Sequence, residues 1–144
     1  MLADAQTRDE VLALLHRQQA AYQAKDLEGV MACFAPGGAV MSYGTNLDQK
    51  VVGLQAIRQA FADDFEGFDA ASLEITWSQI CARGEVAWVA ADCQAVMEVD
   101  GETFRTKARA TTVLLKQDGA WRIAQSHLSF PADTSGMAGP AVVL

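Results

Sequence analysis

The sequence predicts an α+β fold in which three amphipathic N-terminal helices cover one face of an antiparallel meander of long strands. Three observations carry that expectation. Apolar residues recur every three or four positions as far as about residue 67, the period of a helix with one buried stripe. From Leu73 onward they alternate, the period of a half-buried strand. The alternating half is interrupted at Arg83-Gly84, Asp100-Gly101 and Asp118-Gly119, and such pairs favour two-residue hairpins.

The elements follow in order. Val11, Leu14, Leu15, Gln18 and Tyr22 lie on one face of a first helix. Asp26 is placed to cap a second helix, in which Leu27, Val30, Met31 and Phe34 repeat the spacing. Pro36-Gly37-Gly38 stops that helix and leads into a short strand, Ala39 to Tyr43, and a loop through Gly44-Thr45-Asn46. Leu54, Ile57, Phe61 and Phe65 form the apolar face of a third helix ending near Gly67. Four strands come next: Leu73–Ala82, Val86–Val99, Thr103–Lys116 and Ala120–Phe130. Residues 1–130 read as a single domain. Residues 131–144, rich in Gly, Pro and small side chains, read as a tail lying on the surface or at a subunit contact.

Composition narrows the function classes. At 144 residues, 51% hydrophobic and 20% charged, the chain has the make-up of one globular domain. Eleven basic against eighteen acidic residues leave a net charge of −7. That charge repels phosphate backbones, so no nucleic acid partner is expected. The N-terminus lacks the pattern of a secretory leader. No apolar run approaches the roughly 20 residues that span a bilayer, so no membrane partner is expected. Three cysteines, an odd number, fit free thiols in a reducing compartment, and the localisation expected is cytoplasmic. Two distant histidines and three scattered cysteines offer no zinc spacing. There is no Gly-Xaa-Ser-Xaa-Gly elbow and no glycine-rich phosphate loop. No metal and no cofactor are expected.

Alternation selects the candidate site. In the last strand Trp121, Ile123, Gln125, His127 and Ser129 share a face that begins with a large apolar anchor and is expected to be buried. Arg109, Thr111, Val113 and Leu115 share a face of the preceding strand, and pairing across Asp118-Gly119 brings Arg109 near the His127 end. His127, with an unperturbed pKa near 6.5, could carry a proton; the competing reading is a core histidine held by Gln125 or a backbone carbonyl. Arg109 could hold a carboxylate or an enolate oxygen, or pair with an acid such as Asp92 or Glu98. Gln18 interrupts the apolar stripe of the first helix. Tyr43 and Trp77 either line the mouth of a cavity or pack as core. Asp92 lies mid-strand, and either Trp88-Ala90-Asp92 or Val89-Ala91-Cys93 could face inward. His16 lies off the main stripe and is expected to be exposed. Polar groups gathered on an apolar face suit a pocket for a small hydrophobic or aromatic ligand, with a carboxylate as one option.

Several stretches add a resemblance. Asp26-Leu27-Glu28-Gly29-Val30 with Phe34-Ala35-Pro36, and Val51 through Arg58, resemble segments of the nuclear transport factor 2-like (NTF2-like) superfamily. Gly44-Thr45, and Asp118 through Ser129 at the closing strand, are similar to its SnoaL-like branch. The resemblance covers about residues 8–131. It implies a cystatin-like cone, three helices packed on a curved antiparallel sheet, with an internal pocket and a homodimer. It implies no single chemistry, because the fold hosts isomerases, cyclases, dehydratases and non-catalytic binders. The tyrosine, aspartate and second acid of the ketosteroid isomerases would fall at Gln18, Ser42 and Thr111, so that reaction is not expected. Relatives often carry a histidine where Gln125 stands. The expected reading is a pocket protein of lyase, isomerase or cyclase type. Its catalytic candidates are His127 and Asp92, and its ligand-binding candidates are Arg109, Gln125, Gln18, Tyr43, Trp77 and Thr111. The alternative is a non-catalytic binding or dimerisation domain. An inward Asp92 favours catalysis, an outward one binding.

Overall fold

The structure is a computed structural model, and it describes residues 1–136. Residues 137–144, the greater part of the expected tail, lie outside the described residues. The helices are α1 (Ala5–Gln23), α2 (Leu27–Met31) and α3 (Leu54–Gly67). The strands are β1 (Met41–Tyr43), β2 (Lys50–Val52), β3 (Ala70–Arg83), β4 (Val86–Val99), β5 (Glu102–Gln117) and β6 (Ala120–Ser129).

Each helix begins or docks where the sequence supplies a partner for its end. Asp4 accepts a hydrogen bond from the Thr7 amide at 2.7 Å and starts α1. Asp26 does the same for α2 through the Gly29 amide at 3.0 Å. α1 buries Val11, Leu14 and Leu15 against the sheet. Its Glu10 accepts from Trp121 Nε1 at 3.1 Å and Lys116 Nζ at 3.2 Å, fastening the helix over the β5–β6 hairpin. α3 buries Ile57, and Arg58 grips Glu28 of α2 with both guanidinium nitrogens, at 2.6 and 2.9 Å.

The six strands form one sheet in the order β2-β1-β6-β5-β4-β3. The four long strands are the expected meander. Asp100 and Gly101 (φ 51° and 80°), like Asp118 and Gly119 (φ 50° and 76°), both hold positive φ. That matches the tight turn whose twist suits a hairpin. β2, which pairs antiparallel with β1, was not expected, and neither was the parallel pairing of β1 with β6. A three-residue strand is too short for alternation to reveal.

The helices cover one face of the sheet, here called inner. Ala87, Val89, Ala91 and Cys93 of β4, Ala108 and Leu114 of β5, and Trp121 and Ile123 of β6 are buried there. Thr112 is buried with them. Fully burying such aliphatic side chains contributes about 1.5–3 kcal/mol each.

Two bulges decide what this face contains. On β6, Leu114 pairs with Ile123 while Val113 pairs with Gln125, so Ala124 is an extra residue. Ala124 lies where β6 changes neighbours. The backbone of Ile123 bonds to Cys33 and Ala35, at 2.8 Å each way, whereas Gln125 begins the pairing with β1. A one-residue insertion moves every later side chain to the opposite face. Gln125 and His127, expected to be buried with Trp121 and Ile123, are therefore exposed on the outer face, and Ser126 and Leu128 take the inner positions. A second bulge, at Thr76 of β3, turns Trp77 outward opposite Asp92. The Thr76 hydroxyl bonds the Asp92 carbonyl at 3.1 Å beside it.

β5 has no bulge beyond that junction, but its other set faces inward. Small Ala108, Ala110 and Thr112 lie beneath the helices, while Arg109 and Thr111 are exposed. The expected proximity of Arg109 to the His127 end holds, since Arg109 pairs with Ser129. Val89-Ala91-Cys93 is the inward set of β4, so Asp92 points out. It stands directly opposite Arg109 without forming an ion pair. His16 is exposed, as expected.

Candidate functional site

Of the candidate side chains, all but Gln18 share the outer face. One row across the sheet runs Val52, Met41, Gln125, Val113, Trp88, Cys81. The next runs Lys50, Tyr43, His127, Thr111, Ala90, Gln79, and a third holds Ser129, Arg109, Asp92 and Trp77. Tyr43 and His127 bring their rings to 5.4 Å. Trp77 is 54% exposed and Trp88 41%. The candidates singled out in the sequence, Gln18 apart, thus lie on one face, the one that no helix covers rather than the buried one expected for Gln125 and His127. Gln18 lies half-buried on the stripe of α1.

The inner face holds a constellation that sequence reasoning missed. α3 stands between α2 and the β1–β2 hairpin, with a depression on each side. The larger, about 520 Å³, is lined by Met31, Phe34, Pro36, Leu54, Gln55 and Arg58. Its one charged group, Arg58, is held by Glu28. The smaller, a cleft of about 70 Å³, is lined by Ser42, Val51, Ile57, Ala60, Phe61 and Asp64. We take the smaller as the candidate site because it contains a titratable group that nothing neutralises.

That group is Asp64. Tyr22 donates its hydroxyl to Asp64 Oδ2 at 3.2 Å from across the helix pair. Burial raises the Asp64 carboxyl above its ordinary value; the Tyr22 hydrogen bond opposes the shift and the neighbouring Asp63 adds to it. Burial likewise raises the Tyr22 phenol, with the Asp64 charge adding to the effect. On the other wall, the Ser42 and Ser126 hydroxyls hydrogen-bond each other at 2.7 Å. Tyr22 packs among Phe61, Phe65 and Phe68 at centroid distances of 5.3 to 5.8 Å. A carboxyl whose pKa is raised by burial, set in an aromatic, hydroxyl-lined cleft, is a candidate to hold or move a proton.

A signal for Asp64 was present in the sequence. Ile57, Phe61, Asp64 and Phe68 are spaced by four, three and four, so the carboxylate interrupts an apolar stripe as Gln18 does on α1. Ser42 was noticed only as a departure from an isomerase pattern. Ser126 became inward only through the bulge.

Other chemistry is not assembled. The three cysteines are free and buried, and burial raises the Cys33 and Cys93 thiols, away from nucleophilic character. Among the described residues no three His, Cys, Asp or Glu side chains converge to hold a metal ion. No described helix is long and apolar enough to cross a membrane.

The family model of the SnoaL-like domain matches residues 11–133. The chain belongs to the SnoaL-like family. No curated protein is significantly similar to it in sequence. Solved structures place the SnoaL-like chain in the NTF2-like, cystatin-like fold. One is an NTF2-like superfamily protein from Salmonella enterica, with TM-score 0.81 and 21% identity, covering 96% of this chain and 100% of that one. A candidate scytalone dehydratase from Novosphingobium aromaticivorans aligns with TM-score 0.78 and 13% identity, over 88% and 85% of the two chains. A candidate calcium/calmodulin-dependent protein kinase II association domain from Xanthomonas campestris aligns with TM-score 0.76 and 21% identity, over 86% and 87%. At these identities the likeness establishes the fold and no shared activity.

Proposed function

We propose that this SnoaL-like chain, a single domain over residues 1–130, binds a small apolar or aromatic molecule in the cleft between α3 and the β1–β2 hairpin. Asp64 is the group that holds or moves a proton there. One observation carries this: a half-buried carboxyl, raised by burial and bonded to Tyr22, opens into a cleft walled by Phe61 and Ser42. Tyr22 orients the carboxyl, and the Ser42–Ser126 pair supplies hydroxyls to a ligand oxygen. A lyase or isomerase reaction fits such a proton carrier, and the resemblance to a candidate scytalone dehydratase is in keeping with it.

A screen of aromatic metabolites by thermal shift and turnover tests the reading. Ligands found with the wild-type protein are expected to be lost with Asp64→Asn and kept with His127→Ala. Loss with His127→Ala and retention with Asp64→Asn would return the proton-carrying role to His127 and sink the proposal.

A second reading concerns the outer face. The row from Val52 through Met41, Gln125, Val113 and Trp88 is largely apolar and no helix covers it; Tyr43 stands in the next row and Trp77 in the one beyond. Contiguous exposed apolar surface of this kind marks an association site. We therefore propose a homodimer formed through the outer sheet face. His127, Gln125, Thr111, Asp92 and Arg109 would then serve recognition between copies rather than a reaction. The outward Asp92, and the likeness to a candidate association domain, favour this reading for that face.

A further inference from the structure

We infer that the inner cleft selects a small organic cation, an alkylammonium group, with Asp64 as its counter-ion and the Phe61 ring as its second wall. The inference rests on the reading of this cleft as the ligand site. Asp64 has one hydrogen bond, from Tyr22 to Oδ2 at 3.2 Å, and its other oxygen has no protein partner. None of the cleft's other lining residues, Ser42, Val51, Ile57, Ala60 and Phe61, is basic. The charge acting on Asp64 from nearby is that of Asp63, which has the same sign.

Three cations lie on or beside the elements around the cleft, and none is paired with Asp64. Lys50, beside the lining residue Val51, pairs with Tyr43 in the outer-face row. Arg58, on α3, is gripped by Glu28. Lys25 donates to the Phe68 carbonyl at 2.5 Å and lies 5.0 Å above the Phe68 ring. Asp64 is half-buried, and a ligand seated in the cleft would take its second oxygen out of water; a cationic ligand compensates that loss where a neutral or anionic one does not. An aromatic face beside the carboxylate adds attraction for an ammonium group. A chain of net charge −7 draws cations toward it. The cleft, at about 70 Å³, admits an ammonium with a few carbons, so the remainder of a larger amine would project out of its mouth. A ligand carboxylate, the option that Arg109 suggested, meets Asp64 here and Arg109 only on the opposite face of the sheet.

The test is a nuclear magnetic resonance titration of the ¹⁵N-labelled protein at pH 7 and fixed ionic strength with propylamine, propan-1-ol and propionate, on the wild type and on Asp64→Asn. Propylammonium is expected to move the amide signals of Ala60, Phe61 and Asp64, and to bind about tenfold tighter than propanol, since a charge-assisted hydrogen bond is roughly twice as strong as a neutral one. Propionate is expected to leave those signals in place. Asp64→Asn is expected to bring propylamine down to the level of propanol, with the rest of the spectrum confirming its fold. If propanol or propionate moves the same signals at equal or lower concentration than propylamine, the charge preference is wrong while the cleft remains a ligand site. If none of the three moves them, the cleft reading itself fails, and the inference with it.

Discussion

Asp64 stands three residues after Phe61 and seven after Ile57 on α3, so the periodicity that buries the helix also carries a carboxylate inward. Its folded-state pKa is raised above the unfolded value. Between the two values the folded chain keeps a proton that the unfolded chain has released, so stability falls as pH rises through that window. Asp64→Asn carries no such charge. It is expected to melt above the wild type at pH 7, with the gain fading as pH drops below the ordinary carboxylate range. Thermal unfolding across pH 3 to 8 checks this, and a gain independent of pH would show that Asp64 is not the titrating group. Tyr22→Phe removes the hydrogen bond that holds the folded-state carboxyl down, so the upper edge of that window should move to higher pH in that variant. Asp63 is the other charge whose field reaches Asp64, and replacing it by Asn should move the window the opposite way.

At the scale of elements, one inserted residue separates the expected site from the observed one. Alternation describes β6 correctly from Trp121 to Ile123 and fails from Gln125 on, because Ala124 belongs to no pair with β5. Nothing in the strand's own residues marks the bulge. It arises where the neighbour of β6 changes from the Phe34 segment to β1, and that change depends on residues some eighty to ninety positions away. Paired substitutions distinguish the two registers. Leu128→Thr, on the inner face, is expected to cost about 1–2 kcal/mol. His127→Thr, on the outer face, should stay within about 0.5 kcal/mol. Urea denaturation of both variants measures the difference; the reverse order would mean that His127 is the buried member. The turns were far more legible than the bulges. Asp100-Gly101 and Asp118-Gly119 need positive φ locally, and glycine and aspartate supply it without help from the rest of the fold.

For the whole molecule, the proposed homodimer would form through the outer face. The row of Val52, Met41, Val113 and Trp88, contributed by four of the six strands, is expected to pair with a second copy. Sedimentation velocity should then give twice the chain mass for the wild type, and the mass of one chain for Trp88→Glu with an unchanged circular dichroism spectrum. A wild type that sediments as a single chain at micromolar concentration would remove the dimer reading and leave the outer face without an assigned role.

By itself the sequence determined the class of fold, the three helices, the four long strands and their turns, and the family. The elements follow from periodicity and turn chemistry, which act between residues close together in the chain; the family came from the resemblance of its motifs. The sequence also brought Arg109 near the His127 end of the neighbouring strand, because cross-strand register follows from turn position, and it left the face of Asp92 open. Only the tertiary structure decided which side of the sheet they occupy. Strand faces are fixed by parity, and parity is reset by bulges at Ala124 and Thr76 that depend on which segment lies alongside. It alone brought Tyr22, Ser42, Asp64 and Ser126 around one cleft, since they come from α1, β1, α3 and β6 and meet only when the helices close over the sheet.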